Sequence, residues 1–144
     1  MIWDKLIKNA HMVTASGDSH GDIYIKDGRI AAITQCGKEG LGEAAEVIDA
    51  AGMLVFPGFI DTHCHSRDGS KGSWQKEDFA HSSMAAAAGG ITTILEMPNC
   101  NPAIYSVENL QDLIETITPK AYVDFGVWGL CLGDLNKDQL KPLA

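Results

Sequence analysis

The chain has 144 residues, 45% of them hydrophobic and 21% charged, with a formal net charge of −8. That composition suits a soluble globular fold with a sizeable core and excludes a disordered chain. An acidic surface repels phosphate backbones, which argues against nucleic acid as a partner, and no apolar run approaches the ~20 residues of a membrane span. The start, Met1-Ile2-Trp3-Asp4-Lys5, lacks the basic and apolar regions of a signal peptide. Cys36, Cys64, Cys100 and Cys131 show no Cys-x-x-Cys spacing, so they read as reduced thiols of a cytoplasmic protein.

Residues 1–56 read as β structure. Leu6 to Ala10 is a short apolar start. Asp22 to Lys26 alternates, Asp27-Gly28 makes a turn, and Arg29 to Ile33 continues as the second arm of a hairpin. After the polar loop from Gly37 to Gly42 come Val47-Ile48-Asp49 and Met53 to Phe56, separated by the turn Asp49 to Gly52. His11 and His20 fall in this layer and read as surface or packing histidines.

The pattern changes at Pro57, after which strands alternate with helices. Phe59 to His65 is the first strand. Ser73 can cap a helix that runs to Ala88 and ends at Gly89-Gly90, with Glu77 and Asp78 near its start. Ile91 to Met97 is a β-branched second strand. Ser106 can cap a second helix with Val107, Leu110, Leu113, Ile114 and Ile117 on one apolar face, stopped at Thr118-Pro119. Ala121 to Gly129 is a third strand, and Leu135 to Leu140 begins a third helix. This order implies parallel strands joined by right-handed crossovers. Three such units form either a small open α/β sheet or a piece of a barrel, which needs eight.

The chemistry centres on Pro57 to Asp68. Alternation puts Asp61, His63 and His65 on one strand face, with Arg67 continuing the parity if the strand reaches it. The two histidine backbones then lie roughly 6–7 Å apart, close enough for both rings to reach one metal ion. A bare His-x-His is weak evidence, but at the carboxyl end of a strand in an α/β order it reads as a metal site. Asp61 is placed to orient a ligand from behind. Arg67 offers a fork for a substrate carboxylate, against the alternative of an arginine in a polar surface loop. Asn99 lies on the neighbouring strand tip and can donate to a substrate oxygen, against the alternative of a turn residue between prolines. His81 falls mid-helix and reads as surface.

Pro57-Gly58-Phe59-Ile60-Asp61-Thr62-His63-Cys64-His65 resembles the first-strand signature of the amidohydrolase superfamily, the cyclic amidohydrolases in particular. Ala85 to Ile94 followed by Met97-Pro98-Asn99 is similar to the same enzymes, and the strands ending in Val47 to Gly52 resemble the small β-sandwich that precedes their barrel. The resemblance implies a β-sandwich portion over 1–56 and, over 57–144, the first three β/α units of a truncated (β/α)8 barrel. His63-x-His65-x-Arg67 with Met97-Pro98-Asn99 is most similar to dihydroorotases, which open the ring amide of dihydroorotate to carbamoyl aspartate in pyrimidine biosynthesis. By that resemblance His63 and His65 bind the more buried ion of a two-zinc centre, and Arg67 and Asn99 hold the substrate carboxylate.

The sequence departs from dihydroorotases after the arginine, where they continue Glu-Pro-Gly and this chain has Asp68-Gly69-Ser70. Tyr122 to Gly129 is closer to allantoinases, which normally lack this arginine and carry a longer Met-Pro-Leu-Asn loop. Dihydroorotase is therefore the first expectation, and allantoinase or hydantoinase the second. The family's bridging lysine, its later histidines and its catalytic aspartate are expected beyond residue 144, and Lys137 and Lys141 are not assigned to that role. A small-molecule cyclic amide substrate, no membrane partner and a homo-oligomer at full length complete the expectation. The contrasting expectation is a non-catalytic scaffold subunit built on a degenerate barrel piece.

Overall fold

The computed structural model describes residues 2–35, 40–51, 53–72 and 77–144. Their contacts divide the chain into two compact units, Met1–Pro57 and Gly58–Ala144.

The first unit is built on β1 (Trp3–Thr14), which pairs antiparallel with β2 (Gly17–Lys26). β3 (Arg29–Gln35) continues the antiparallel order, while β4 (Ala44–Asp49) and β5 (Leu54–Val55) lie parallel to β1. Asp27 and Gly28 join β2 to β3 with φ of 51° and 71°. Two positive φ values in succession match the right-handed twist of the flanking strands, and the Asp-Gly pair accepts them. The first strand is longer than the expected Leu6 to Ala10. It continues through His11 to Thr14 and turns back over Ala15 and Ser16, a corner without Asn-Gly or Asp-Gly. A register shift between Ile7 and Ala10 accommodates Asn9 at φ 54°, whose amide N–H donates to Asp22 and whose side chain donates to Asp49. Ala10, Met12, Ile23 and Ala50 form the buried cluster of this unit.

The second unit holds a parallel sheet of β6 (Phe59–Cys64), β7 (Ile91–Glu96) and β8 (Asp124–Val127), adjacent in chain order among the described residues. α1 (Phe79–Ala88) joins β6 to β7, and α2 (Val107–Ile117) joins β7 to β8. Phe79 and Ala86 from α1, Ile94 from β7, and Leu113 and Ile117 from α2 share one core with Cys100 and Ile104. Ile114, expected on the apolar face of α2, is instead exposed. Ser106 caps α2 by accepting from the Asn109 amide, as the sequence implies.

α1 starts later than expected. Ser73 lies outside the described residues; the cap is Asp78, which accepts from the His81 amide. The start is fixed from a distance as well. Buried Asp68 accepts from the Phe79 amide at 3.0 Å and from Lys120 at 2.6 Å, so an ion pair sits against the positive end of the helix. Gly89 and Gly90 end α1, Gly90 at φ 80°. The third strand is shorter than the expected Ala121 to Gly129, because a turn over Thr118–Lys120 carries the chain to Ala121 before pairing begins. The third helix, α3 (Lys137–Leu143), starts two residues later than expected, after a single 3-10 turn at Gly133–Leu135. No described helix is long and apolar enough to cross a membrane.

Candidate functional site

The carboxyl ends of the three parallel strands are tied together by backbone and side-chain bonds. The Met97 amide donates to the Cys64 carbonyl at 2.8 Å, and the Trp128 amide donates to the Glu96 carbonyl at 3.0 Å. The Trp128 indole N–H donates to the Thr62 carbonyl at 3.1 Å, bridging β8 back to β6. Irregular backbone at strand ends keeps its donors and acceptors satisfied in this way, and it holds the loops above the sheet in place.

His63 is the next-to-last residue of β6, and His65 lies just past the strand end. Their ring centroids are 5.0 Å apart at an interplanar angle of 63°. His65 Nδ1 is 2.8 Å from Asn99 Oδ1. An amide oxygen only accepts, so with this pairing His65 Nδ1 carries the proton and Nε2 keeps its lone pair. That is how a metal-ligating histidine is commonly oriented, its second nitrogen bonded to an oxygen behind it. The donor chemistry therefore fits a borderline metal ion. Asp61 behaves differently from the expectation: its carboxylate accepts from the His63 backbone amide at 3.0 Å and steadies the strand end instead of an imidazole.

The strand does not extend to Arg67, so the expected alternation stops short. Arg67 has φ 60°, a left-handed conformation that a non-glycine residue adopts only under constraint. The constraint is Glu96, fully buried at the end of β7, whose two carboxyl oxygens accept from the Ser66 and Arg67 amides at 3.1 and 3.0 Å. Arg67 Nε is buried without a hydrogen-bond partner. Unpaired buried donors are costly, and a guanidinium N–H makes its strongest hydrogen bonds to carboxylate or phosphate oxygens.

Of the residues singled out in the sequence, His65 meets both His63 and Asn99, and Arg67 stands two residues along the same loop. His81 is exposed and pairs with Asp78, which agrees with a surface role. Glu96 and Asp68 were not anticipated. A lone carboxylate closing the uncharged strand Ile91 to Leu95 is the available signal for Glu96. Asp68 stands where dihydroorotases carry glutamate. Gly69 follows it because a Cβ there would collide with the Asn101 carbonyl. A cleft of about 750 Å³ lined by Thr92, Tyr122 and Asp124 lies at the opposite, amino-terminal end of β7 and β8, away from this chemistry.

Cys100 packs beneath the site, 2% exposed. Burial first, then the nearby Glu96 and Asp68 carboxyls, push its thiol up to about 12. Cys100 is accordingly expected to resist iodoacetamide at pH 8 while exposed Cys131 is alkylated, as read by peptide mass spectrometry; modification at equal rates would contradict this. The raised value also sets a pH trend. The unfolded thiol ionises above pH 9 and the folded one does not, so this contribution is intact below pH 9 and is lost between about 9 and 12.

Residues 54–140 match the sequence pattern of the amidohydrolase family. The chain belongs to that family. Over 145 residues it is 38% identical to an allantoinase of Deinococcus radiodurans, covering all of this chain and 31% of that protein. It is 39% identical over 141 residues to a dihydroorotase of Elusimicrobium minutum, covering 96% of this chain and 32% of the other. A solved D-hydantoinase structure superposes with a TM-score of 0.80 at 35% identity, covering 96% of this chain and 30% of that one. The chain thus spans about a third of the length of these amidohydrolase relatives. Their three names do not single out dihydroorotase, so the first expectation from the sequence is no better supported by them than the second.

Proposed function

We propose that this chain is the amino-terminal portion of a metal-dependent cyclic amidohydrolase, its second unit being the first three β/α units of a (β/α)8 barrel. Parallel strands adjacent in chain order, with right-handed crossovers, place their helices on one face of the sheet. The shared core of α1 and α2 against Ile94 supports that arrangement. Phe59 and Ile60 on β6 are 52% and 63% exposed, apolar side chains that fit a sheet whose faces are covered by further parts of the whole protein.

His63 and His65 would hold the ion, zinc by family resemblance. When bound, such an ion lowers the pKa of water and polarises a carbonyl. Asn99 orients His65 through Oδ1 and keeps Nδ2 to donate to a substrate oxygen. Arg67 would clamp a substrate carboxylate, and its buried, unpartnered Nε is the observation that carries this reading. A ring amide bearing a carboxylate, dihydroorotate, is therefore the substrate we favour. Allantoin or a hydantoin is the second reading, because relatives carry those names.

The test is hydrolysis of dihydroorotate, allantoin and hydantoin by the full-length protein and its Arg67→Gln variant. Losing charge-assisted bonds of ~1.5–3 kcal/mol is expected to raise KM for dihydroorotate roughly 10–100-fold, with little change for a ring that has no carboxylate. Activity on allantoin or hydantoin alone would remove the carboxylate clamp and keep the hydrolase. A full-length protein that binds no metal and opens none of the rings would favour the scaffold reading.

A further inference from the structure

The β1–β2 hairpin of the first unit gathers a separate set of ligating side chains. Antiparallel pairing sets His11 opposite His20 and Val13 opposite Asp18. Side chains alternate along each strand, so His11, His20 and Asp18 share one face while Ala10 and Met12 turn into the core. The two imidazoles stack with centroids 4.1 Å apart and planes inclined by 26°. His11 Nε2 lies 2.9 Å from Asp18 Oδ2. One ligand atom from each of the three lies within 4.8 Å of the others.

We propose that His11, Asp18 and His20 form a surface site for a borderline divalent cation such as Zn²⁺, Ni²⁺ or Cu²⁺. Two imidazoles and one carboxylate are a donor set these ions accept, whereas Ca²⁺ and Mg²⁺ prefer oxygen alone. Donors around a tetrahedral ion at ~2.0–2.2 Å stand roughly 3.3–3.6 Å apart. His11 and Asp18, 2.9 Å apart, stand slightly closer than that and need only open their hydrogen bond. The His20 ligand atom lies within 4.8 Å of the other two, and the exposure of its side chain leaves room for the rotation that brings it in.

The backbone frame is set before any ion arrives. His11 is flanked by His20 on β2 and by Leu54 on β5, so its strand is paired on both sides. An ion bound at His11 Nε2 would take the place of the hydrogen between that atom and Asp18, the neutral ring then carrying its one proton on Nδ1. Three protein ligands leave room for water or a further donor in the coordination sphere. The alternative is that stacking and the ion pair merely brace the hairpin, which predicts no response to metal.

The full chain, stripped with EDTA, is titrated with ZnCl₂ beside His20→Gln and Asp18→Asn. Uptake is measured by calorimetry, and the histidine ring resonances by NMR. The wild type is expected to bind one more equivalent per chain than His20→Gln, or to bind it at least about tenfold more tightly, since even outer partners of a metal ligand are worth 10–100-fold. The ring signals of His11 and His20 are expected to shift together. Equal uptake in the wild type and both variants, or ring signals unmoved by zinc, would overturn the site. Melting in EDTA shows whether each variant folds. Should His20→Gln fail to fold, the wild-type ring signals and Asp18→Asn decide the matter.

Discussion

Replacing His65 by alanine in the full-length protein is expected to remove bound metal and to lower kcat/KM for ring opening by at least about 10³-fold, beyond the 10–100-fold that loss of an outer partner costs. The ring is placed by two features of this chain: the end of β6 at Cys64 and the 2.8 Å bond from Nδ1 to Asn99 Oδ1. Asn99→Ala leaves the imidazole in place but free to rotate, so it is expected to cost roughly 10–100-fold in metal affinity. Asp61→Asn is the contrasting variant. Asp61 accepts from a backbone amide, an asparagine oxygen can do the same, and metal content is expected to stay near wild type. Metal analysis after dialysis, with kcat/KM measured on the same samples, orders the three. If His65→Ala kept its metal and its activity, the assignment would fail; if Asp61→Asn lost as much as Asn99→Ala, Asp61 would rank as a ring orienter after all.

What could be read in the sequence was local. Asp27-Gly28 declares its turn because few residue pairs accept two positive φ values, and Gly89-Gly90 declares a helix end because a glycine past the cap accepts the left-handed φ of 80° found at Gly90. His63 and His65 are two apart on one strand, so their common face follows from the pleat alone. Contacts across chain segments could not be read this way. The stacking of His11 on His20 depends on a register set by a turn at Ala15 and Ser16 that has no strong signature. The bond from His65 to Asn99 joins residues just past the ends of two different strands, and only the general rule that strand tips share a layer brings them near each other. Arg67 shares the histidines' face only if the strand reaches it, and nothing in its neighbours decides between that extension and a polar loop. Its left-handed turn comes from Glu96, 29 residues further along.

That dependence leads to the second large effect. Glu96→Ala is expected to destabilise the fold by about 3–5 kcal/mol, because it strips two backbone donors of their acceptor in a buried setting. The Ser66 and Arg67 amides both end on this one carboxyl group, and Glu96 is 0% exposed, so water does not readily replace it. Glu96→Gln keeps one acceptor oxygen and turns the other into a donor facing an N–H, and about half the loss is expected. Chemical denaturation of the full-length protein measures both. The activity readout separates this role from simple packing. Releasing the Arg67 backbone from φ 60° frees its guanidinium, so in Glu96→Gln KM for a carboxylate-bearing ring is expected to rise more than kcat falls. A variant in Ile94, equally buried in the same strand but with no bond to the loop, should lose stability without that split. If Ile94→Ala and Glu96→Gln moved KM alike, Glu96 would be a core residue and nothing more.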